Sequence, residues 1–192
     1  MKNLSIALEA NAHRIPDNTA IISGDKRFSY KEINNLSNKV ANLILDLGVK
    51  PGNSIALQCP NIYFFPIIYY GILKMGGIVV PLSILLKKNE IAHILSDSNT
   101  KLLFFYEGDK SLNIAKEAIE AIKKCSELVH SVLIENEDNS NFKSPPSKKF
   151  SLLINNASSQ FEYTNTNSDQ TAVIIYTSGT CLLYTSPSPR DA

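Results

Sequence analysis

The sequence predicts a layered α/β domain with a mostly parallel sheet and flanking helices. Strand-like and helix-like periodicities alternate along the 192 residues, and this order is typical of strand–helix–strand units with right-handed crossovers. The run "KLLFFY" at 101–106 is apolar on both sides, as expected for a parallel strand that helices cover on both faces. Ligands of such sheets gather at the carboxyl ends of the strands, so we expect a site there.

The N-terminal part of the chain predicts a hairpin followed by a long amphipathic helix. Two short strand-like runs, 19–24 and 26–30, are joined by a Gly-Asp turn. In the run "SYKEINNLSNKVANLILDLG", Ser29 caps a helix, Glu32 completes a capping box three residues later, and Gly48 ends the helix. The apolar residues of this run recur at helical spacing, so one face of the helix should be buried.

The rest of the chain continues the alternation of strands and helices. We predict strands at 54–59, 78–80, 101–106, 130–135 and 171–176, the last one buried and running into a polar turn. We predict helices within 62–77, at 87–98 and at 112–125, and a single helical turn at 150–154. Residues 135–149 are acidic, then rich in Ser, Pro and Lys, and predict a flexible surface loop, while the polar stretch 155–169 should run over the surface.

The apolar segment "IYFFPIIYYGILKMGGIVVP", residues 62–81, approaches the length of a transmembrane span. Lys74 would lie inside such a span, where a charged side chain is costly. Lys74 followed by Gly76 and Gly77 is instead typical of a helix end, with a cation in the last turn and glycine just beyond it. We therefore interpret the segment as a buried helix followed by a buried strand, and we predict no transmembrane segment.

Composition and charge exclude several other classes of protein. The formal net charge is +1 and the lysines occur in isolated pairs rather than on a concentrated basic face, so we predict no nucleic-acid partner. Cys59, Cys125 and Cys181 are too far apart for a metal knuckle, and the three histidines have no metal-ligand spacing. The N-terminus interrupts its apolar run with Glu9 and does not read as a signal peptide, so we expect a cytoplasmic location.

The predicted strand at 171–176 leads into Thr177-Ser178-Gly179-Thr180, which would lie at the carboxyl edge of the sheet. Its hydroxyl groups are short donors, and Gly179 allows the backbone to approach a ligand closely. Successive amides in such a turn form an anion nest, so these four residues suit a polyphosphate. Taken alone, such a tetrapeptide is more often a simple polar turn, and no lysine follows it to supply charge.

Three pieces of the chain together resemble the N-terminal part of the adenylate-forming (AMP-binding) superfamily. They are "RIPDNTAIISGDKRFSYKEINNLSNKVANLILDLGVKPGNSIALQCPN", "GILKMGGIVVPLSILLKKNEIAHILSDSNTKLLF" and "DQTAVIIYTSGT", in the family's order over roughly residues 5–180. The segments "LQCPN" and "VVPLSILLKKNEI" are most similar to fatty-acyl-CoA synthetases. Peptide-synthetase adenylation domains usually carry a Val-Pro-Ile-Asp-Pro type sequence where this chain has Pro81-Leu82-Ser83.

The resemblance implies an acid–thiol ligase that works in two steps. A carboxylate attacks the α-phosphate of Mg-ATP to give an acyl-adenylate and pyrophosphate, and the thiol of coenzyme A then displaces AMP. A full-length parent would use ATP, Mg²⁺ and coenzyme A as cofactors, and a fatty acid as its small-molecule substrate. Thr177, Ser178, Gly179 and Thr180 match the first half of the family's phosphate-binding loop, whose lysine and second glycine are missing here. The resemblance assigns no catalytic and no metal-binding residue to this chain, so we expect it to be inactive as it stands.

The final stretch, "CLLYTSPSPRDA" at 181–192, departs from the family pattern. Its prolines disfavour the helix that follows the loop in the family. The echo of "IIYTS" in "LLYTS" is too short for a structural repeat, whose period is usually about 20 to 50 residues. We expect residues 1–180 to be the N-terminal portion of a ligase and 181–192 to be a non-native tail without regular structure.

Other hypotheses remain open on the sequence alone. The chain could be a non-catalytic nucleotide-binding or interaction module, or a fragment of a peptide-synthetase-type adenylation domain. An α/β domain of unrelated function would require the ordered matches to be accidental. A cytoplasmic ligase of this kind is also compatible with a peripheral membrane contact through its acyl substrate.

Overall fold

The computed structural model describes residues 3–109, 111–136 and 147–177. Within them lie a two-stranded hairpin and a five-stranded sheet with helices on both faces. The strands are β1 (Thr19–Ser23), β2 (Lys26–Ser29), β3 (Ser54–Gln58), β4 (Ile78–Pro81), β5 (Leu102–Tyr106), β6 (His130–Ile134) and β7 (Lys148–Lys149). The helices are α1 (Ile6–Arg14), α2 (Tyr30–Asp46), α3 (Phe64–Lys74), α4 (Lys88–Asp97), α5 (Ile114–Ile122) and α6 (Phe150–Asn156).

The larger sheet has the strand order β4-β3-β5-β6-β7, and all its neighbours pair in parallel. Alternate residues of each central strand enter different apolar clusters. In β5, Leu102 and Phe104 pack on the side of α2 and α3, whereas Leu103 and Phe105 pack on the side of α4 and α5. The predicted double-sided burial of "KLLFFY" is therefore confirmed, and so is the predicted layered α/β class.

The hairpin and the helix after it form as the local sequence predicts. β1 and β2 pair antiparallel around Gly24, whose φ of 58° lies in the left-handed region that glycine adopts easily. Ser29 Oγ accepts a hydrogen bond from the Glu32 amide at 3.2 Å, while the Ser29 amide donates to Glu32 Oε2 at 2.7 Å. This reciprocal pair is the predicted capping box.

The apolar segment 62–81 folds as the predicted helix and strand. α3 ends at Lys74, the chain turns at Gly76 with a φ of 79°, and β4 follows at the edge of the sheet. The Lys74 side chain is fully buried and forms an ion pair with Glu9 of α1. In the part of the chain that the structure describes, no helix is long and apolar enough to cross a membrane.

The structure differs from the sequence prediction at two places near the C-terminus. Segment 171–177 is not a buried regular strand: it makes a single parallel bridge, Val79 to Val173, and Ile175 is 70% exposed. The reason is its position at the edge, where β4 is its one neighbour among the described residues. The predicted loop 135–149 ends in β7, and α6 is longer than one turn; residues 137–146 and 178–192 lie outside the described part.

Candidate functional site

The candidate site is built where segment 171–177 passes the end of β4. The Val79 amide donates to the Ala172 carbonyl, and the Ile174 amide donates to the Val79 carbonyl, both at 2.9 Å. Because this pairing is parallel, the segment leaves the sheet at the same edge as β4, which ends at Pro81. Thr177 therefore stands at the carboxyl edge, where ligands of parallel sheets are usually bound.

Tyr176 ties this segment to α4. Its hydroxyl donates a hydrogen bond to the carboxylate of Asp97, the last residue of α4. Burial of the ring and the contact with Asp97 raise the pKa of Tyr176 to about 12. The phenol therefore keeps the proton that it donates throughout the neutral range. The ring itself packs against the apolar cluster beneath α4 and α5.

A cleft of about 550 Å³ opens between the segment, the loop after β4 and α4. Its lining residues combine apolar walls with hydroxyl, carboxylate and imidazole groups: Pro81, Ser83, Leu86, Glu90, His93, Ile94, Tyr176 and Thr177. No lysine or arginine is among these lining residues, so the described wall offers hydrogen-bond donors to an anion but little positive charge. Glu90 adds a carboxylate to this wall, so the wall does not neutralise an anionic ligand.

Gln58 supports the loop that forms one wall of this cleft. It is the last residue of β3 and is fully buried. Its Nε2 donates to the Ser83 carbonyl at 3.1 Å, while its Oε1 has no hydrogen-bond partner among the described residues. The sequence analysis did not single out Gln58 or Asp97, because both act through contacts far along the chain that no local pattern announces.

Of the four predicted phosphate-binding residues, the structure describes Thr177. Its position at the cleft agrees with the placement that the sequence predicts. Ser178, Gly179 and Thr180 lie outside the described residues, and the phosphate-binding role of all four residues stays a prediction.

The described residues include no other obvious reactive centre. No group of three or more His, Cys, Asp or Glu side chains within the described residues could hold a metal ion. Cys59 and Cys125 are buried free thiols. Burial raises the pKa of Cys59 to about 12, and burial together with Glu127 raises that of Cys125, so neither is an activated nucleophile.

Fold and candidate site together define an α/β domain in which Thr177 stands at the carboxyl edge of a parallel sheet. Residues 8–181 match the family of AMP-binding enzymes. The chain therefore belongs to the AMP-binding enzyme family.

Similar proteins include both CoA ligases and peptide synthetases. The long-chain-fatty-acid–CoA ligase FadD13 of Mycobacterium tuberculosis is 35% identical over 107 residues, which make up 55% of this chain and 21% of that ligase. Bacitracin synthase 2 of Bacillus licheniformis is 32% identical over 120 residues, 62% of this chain and 5% of the synthase. The chain thus spans a small part of the length of these relatives.

The fold also matches solved structures closely. The anthranilate CoA ligase AuaEII in complex with anthranoyl-AMP superimposes with a TM-score of 0.84. The match covers 93% of this chain and 32% of that ligase, at 22% sequence identity. At this identity the likeness concerns the fold, and it confirms the predicted α/β architecture.

Proposed function

We propose that this chain is the N-terminal portion of an ATP-dependent carboxylate–CoA ligase whose acid substrate is a fatty acid. The observation that carries the proposal is the course of segment 171–177, which leaves the sheet beside β4 and brings Thr177 to the cleft. This is the position from which a hydroxyl-rich turn can hold the phosphates of a nucleotide. Membership in the AMP-binding family supports ATP as that nucleotide.

The contribution of this chain is to bind and orient the phosphate end of ATP. ATP supplies the adenylyl group that activates the carboxylate, and pyrophosphate is the leaving group. Thr177 would donate its hydroxyl to a phosphate oxygen, and Ser178, Gly179 and Thr180 would add donors as the family's loop does. The missing positive charge must come from outside the described wall, so the 192-residue chain should bind ATP weakly and be inactive. The described residues assign no ligand to Mg²⁺ and no contact to coenzyme A.

Two observations favour a fatty acid over an amino acid. The sequence Pro81-Leu82-Ser83 lies at the end of β4, where peptide-synthetase domains usually carry an aspartate. The mycobacterial relative at 35% identity is a long-chain-fatty-acid–CoA ligase. A peptide-synthetase-type adenylation domain is the second candidate, because bacitracin synthase 2 matches a longer stretch at 32% identity.

The test is ATP–pyrophosphate exchange with radiolabelled pyrophosphate. A full-length protein that contains this domain is assayed with medium- and long-chain fatty acids, with amino acids and without any acid, beside the 192-residue chain. We expect exchange by the full-length protein with fatty acids, and none above the blank by the 192-residue chain. Exchange with amino acids alone favours the second candidate. If none of the tested acids supports exchange by the full-length protein, the ligase proposal is refuted.

A hydroxyl deletion tests the role of Thr177 itself. Thr177→Val keeps the shape of the side chain and removes one donor, and it should lower kcat/KM for ATP by about 10- to 100-fold in the full-length protein. Thr166→Val is the matched control, because Thr166 lies away from the cleft. Equal rates in both variants would remove Thr177 from the proposed site.

A further inference from the structure

We infer that Tyr176 and Asp97 are positioning residues: their hydrogen bond fixes Thr177 over the cleft. The inference rests on the proposed function, because it assigns these two residues to the placement of a phosphate-binding segment. Neither side chain needs to touch the nucleotide. Their role would be to hold the backbone that leads into Thr177 in one place.

The attachment of the segment to the sheet ends before Thr177. The last backbone hydrogen bond between the segment and β4 is the one from the Ile174 amide to the Val79 carbonyl. Ile175 is 70% exposed and offers little packing. The hydroxyl of Tyr176 is therefore the last polar tie between the described segment and the rest of the fold, one residue before Thr177.

The position of Asp97 at the end of α4 also supports a role for its hydrogen bond with Tyr176. Asp97 is the last residue of α4, and a carboxylate there faces the negative end of the helix dipole. Within the described part of the chain it forms no ion pair, and its carboxylate accepts a hydrogen bond from the Tyr176 hydroxyl. A carboxylate at an electrostatically unfavourable helix end is expected where its hydrogen bond is needed.

The packing of Tyr176 and its hydrogen bond involve different parts of the side chain, so a substitution can remove one and keep the other. The ring packs on the apolar cluster beneath α4 and α5, so Tyr176→Phe keeps the ring and removes the hydroxyl. Asp97 is exposed, so Asp97→Ala removes the carboxylate acceptor at little risk to the core. Each single variant removes the hydrogen bond, and the two form a cycle with the double variant.

The first experiment measures exchange kinetics in the full-length protein. We expect Tyr176→Phe, Asp97→Ala and the double variant each to lower kcat/KM for ATP by about 10-fold, without summing, while the KM for the fatty acid stays unchanged. Tyr163→Phe and Asp46→Ala are matched controls, since no hydrogen bond of either side chain is seen in the described structure. Additive losses, or an equal rise in the KM of both substrates, would overturn the positioning role.

The second experiment does not depend on activity. Hydrogen exchange of the Ile174 amide in the 192-residue chain should be about 10-fold faster in Tyr176→Phe and Asp97→Ala than in wild type and the two controls. Unchanged exchange would overturn the inference even if the ligase is active. If none of the tested acids supports pyrophosphate exchange by the full-length protein, the proposed function fails. Hydrogen exchange alone then decides whether the contact holds the segment.

Discussion

The side chain of Lys74 is fully buried, although a lysine in the last turn of a helix commonly reaches solvent. The sequence predicts Lys74 as the cation at the end of α3, and the structure adds its partner, Glu9 of α1, whose side chain is 17% exposed. The two charges differ in their access to water. Removing one partner should therefore cost more when the ammonium is the charge left behind.

We expect Glu9→Gln to lower the free energy of unfolding by about 3 kcal/mol, because it leaves a buried ammonium without its counter-charge. Lys74→Met should cost about 1 kcal/mol, since Glu9 keeps some contact with solvent. The double variant should lie within about 1 kcal/mol of wild type. Urea unfolding of the soluble monomer measures all four proteins.

The exposed pair Lys123–Glu120 is the control for this cycle. Its N–O distance is 2.6 Å, but both side chains are largely in water. Glu120→Gln should leave the unfolding midpoint unchanged. If Glu9→Gln lowers the free energy of unfolding no more than Glu120→Gln does, the burial of Lys74 has no energetic consequence.

Lys74 also predicts a pH dependence of stability. Burial lowers its pKa from the ordinary 10.5, and the hydrogen bond and charge of Glu9 oppose that shift. Between the lowered pKa and 10.5 the unfolded chain binds the proton that the folded chain has released, so folded-state stability rises with pH there. Wild type should gain stability relative to Lys74→Met as the pH rises through the interval between the lowered pKa and 10.5. A difference that stays constant would contradict the lowered pKa.

At the scale of elements, the crossing of α2 and α3 depends on one glycine. Gly71 lies inside α3, and a methyl group there would come within 2.5 Å of Val40 Cβ in α2. Helix propensity alone favours alanine over glycine by about 1 kcal/mol. Overpacking a tight crossing costs about 1 to 3 kcal/mol, so the clash should outweigh the propensity.

We therefore expect Gly71→Ala to destabilise the chain by about 1 to 2 kcal/mol. Val40→Gly removes the Cβ that the added methyl would meet, so the double variant should be more stable than the sum of the two single effects by about 1 kcal/mol. Thermal and urea unfolding give the four values of the cycle. Gly71→Ala more stable than wild type would mean that α3 shifts without cost.

The elements that the sequence predicts well are determined by interactions between residues close together in the sequence. The capping box at Ser29 and Glu32 lies within one turn, and it sets the start of α2 where the sequence analysis placed it. The prediction of a buried strand at 171–177 is wrong for the opposite reason. Its apolar residues suit a buried strand, but burial depends on a second neighbouring strand that no local pattern encodes. The candidate site was predictable in part, because Thr177 belongs to a local motif. Gln58 bonds to Ser83 and Asp97 accepts from Tyr176 across long sequence separations, which no local pattern indicates.

At the scale of the whole molecule, the side of segment 171–177 that faces away from β4 is unpaired among the described residues. Such an edge offers free backbone groups to another chain. Ile175 adds an apolar side chain that is 70% exposed. Apolar surface beside an open edge favours self-association, and we expect the 192-residue chain to be poorly soluble and to form oligomers at high concentration.

Ile175→Lys should therefore raise the soluble fraction and shift the chain towards monomer, because a lysine on an edge opposes strand pairing. The free energy of unfolding of the monomer should change by less than about 0.5 kcal/mol, since the side chain is exposed already. Ile22→Lys is the matched control: Ile22 is 60% exposed but belongs to the separate hairpin. Size-exclusion chromatography with light scattering measures the oligomers across a range of concentrations. An equal gain from both substitutions would mean that added charge, and not the edge at 171–177, controls solubility. A wild-type chain that stays monomeric at every concentration would show that this edge is already protected.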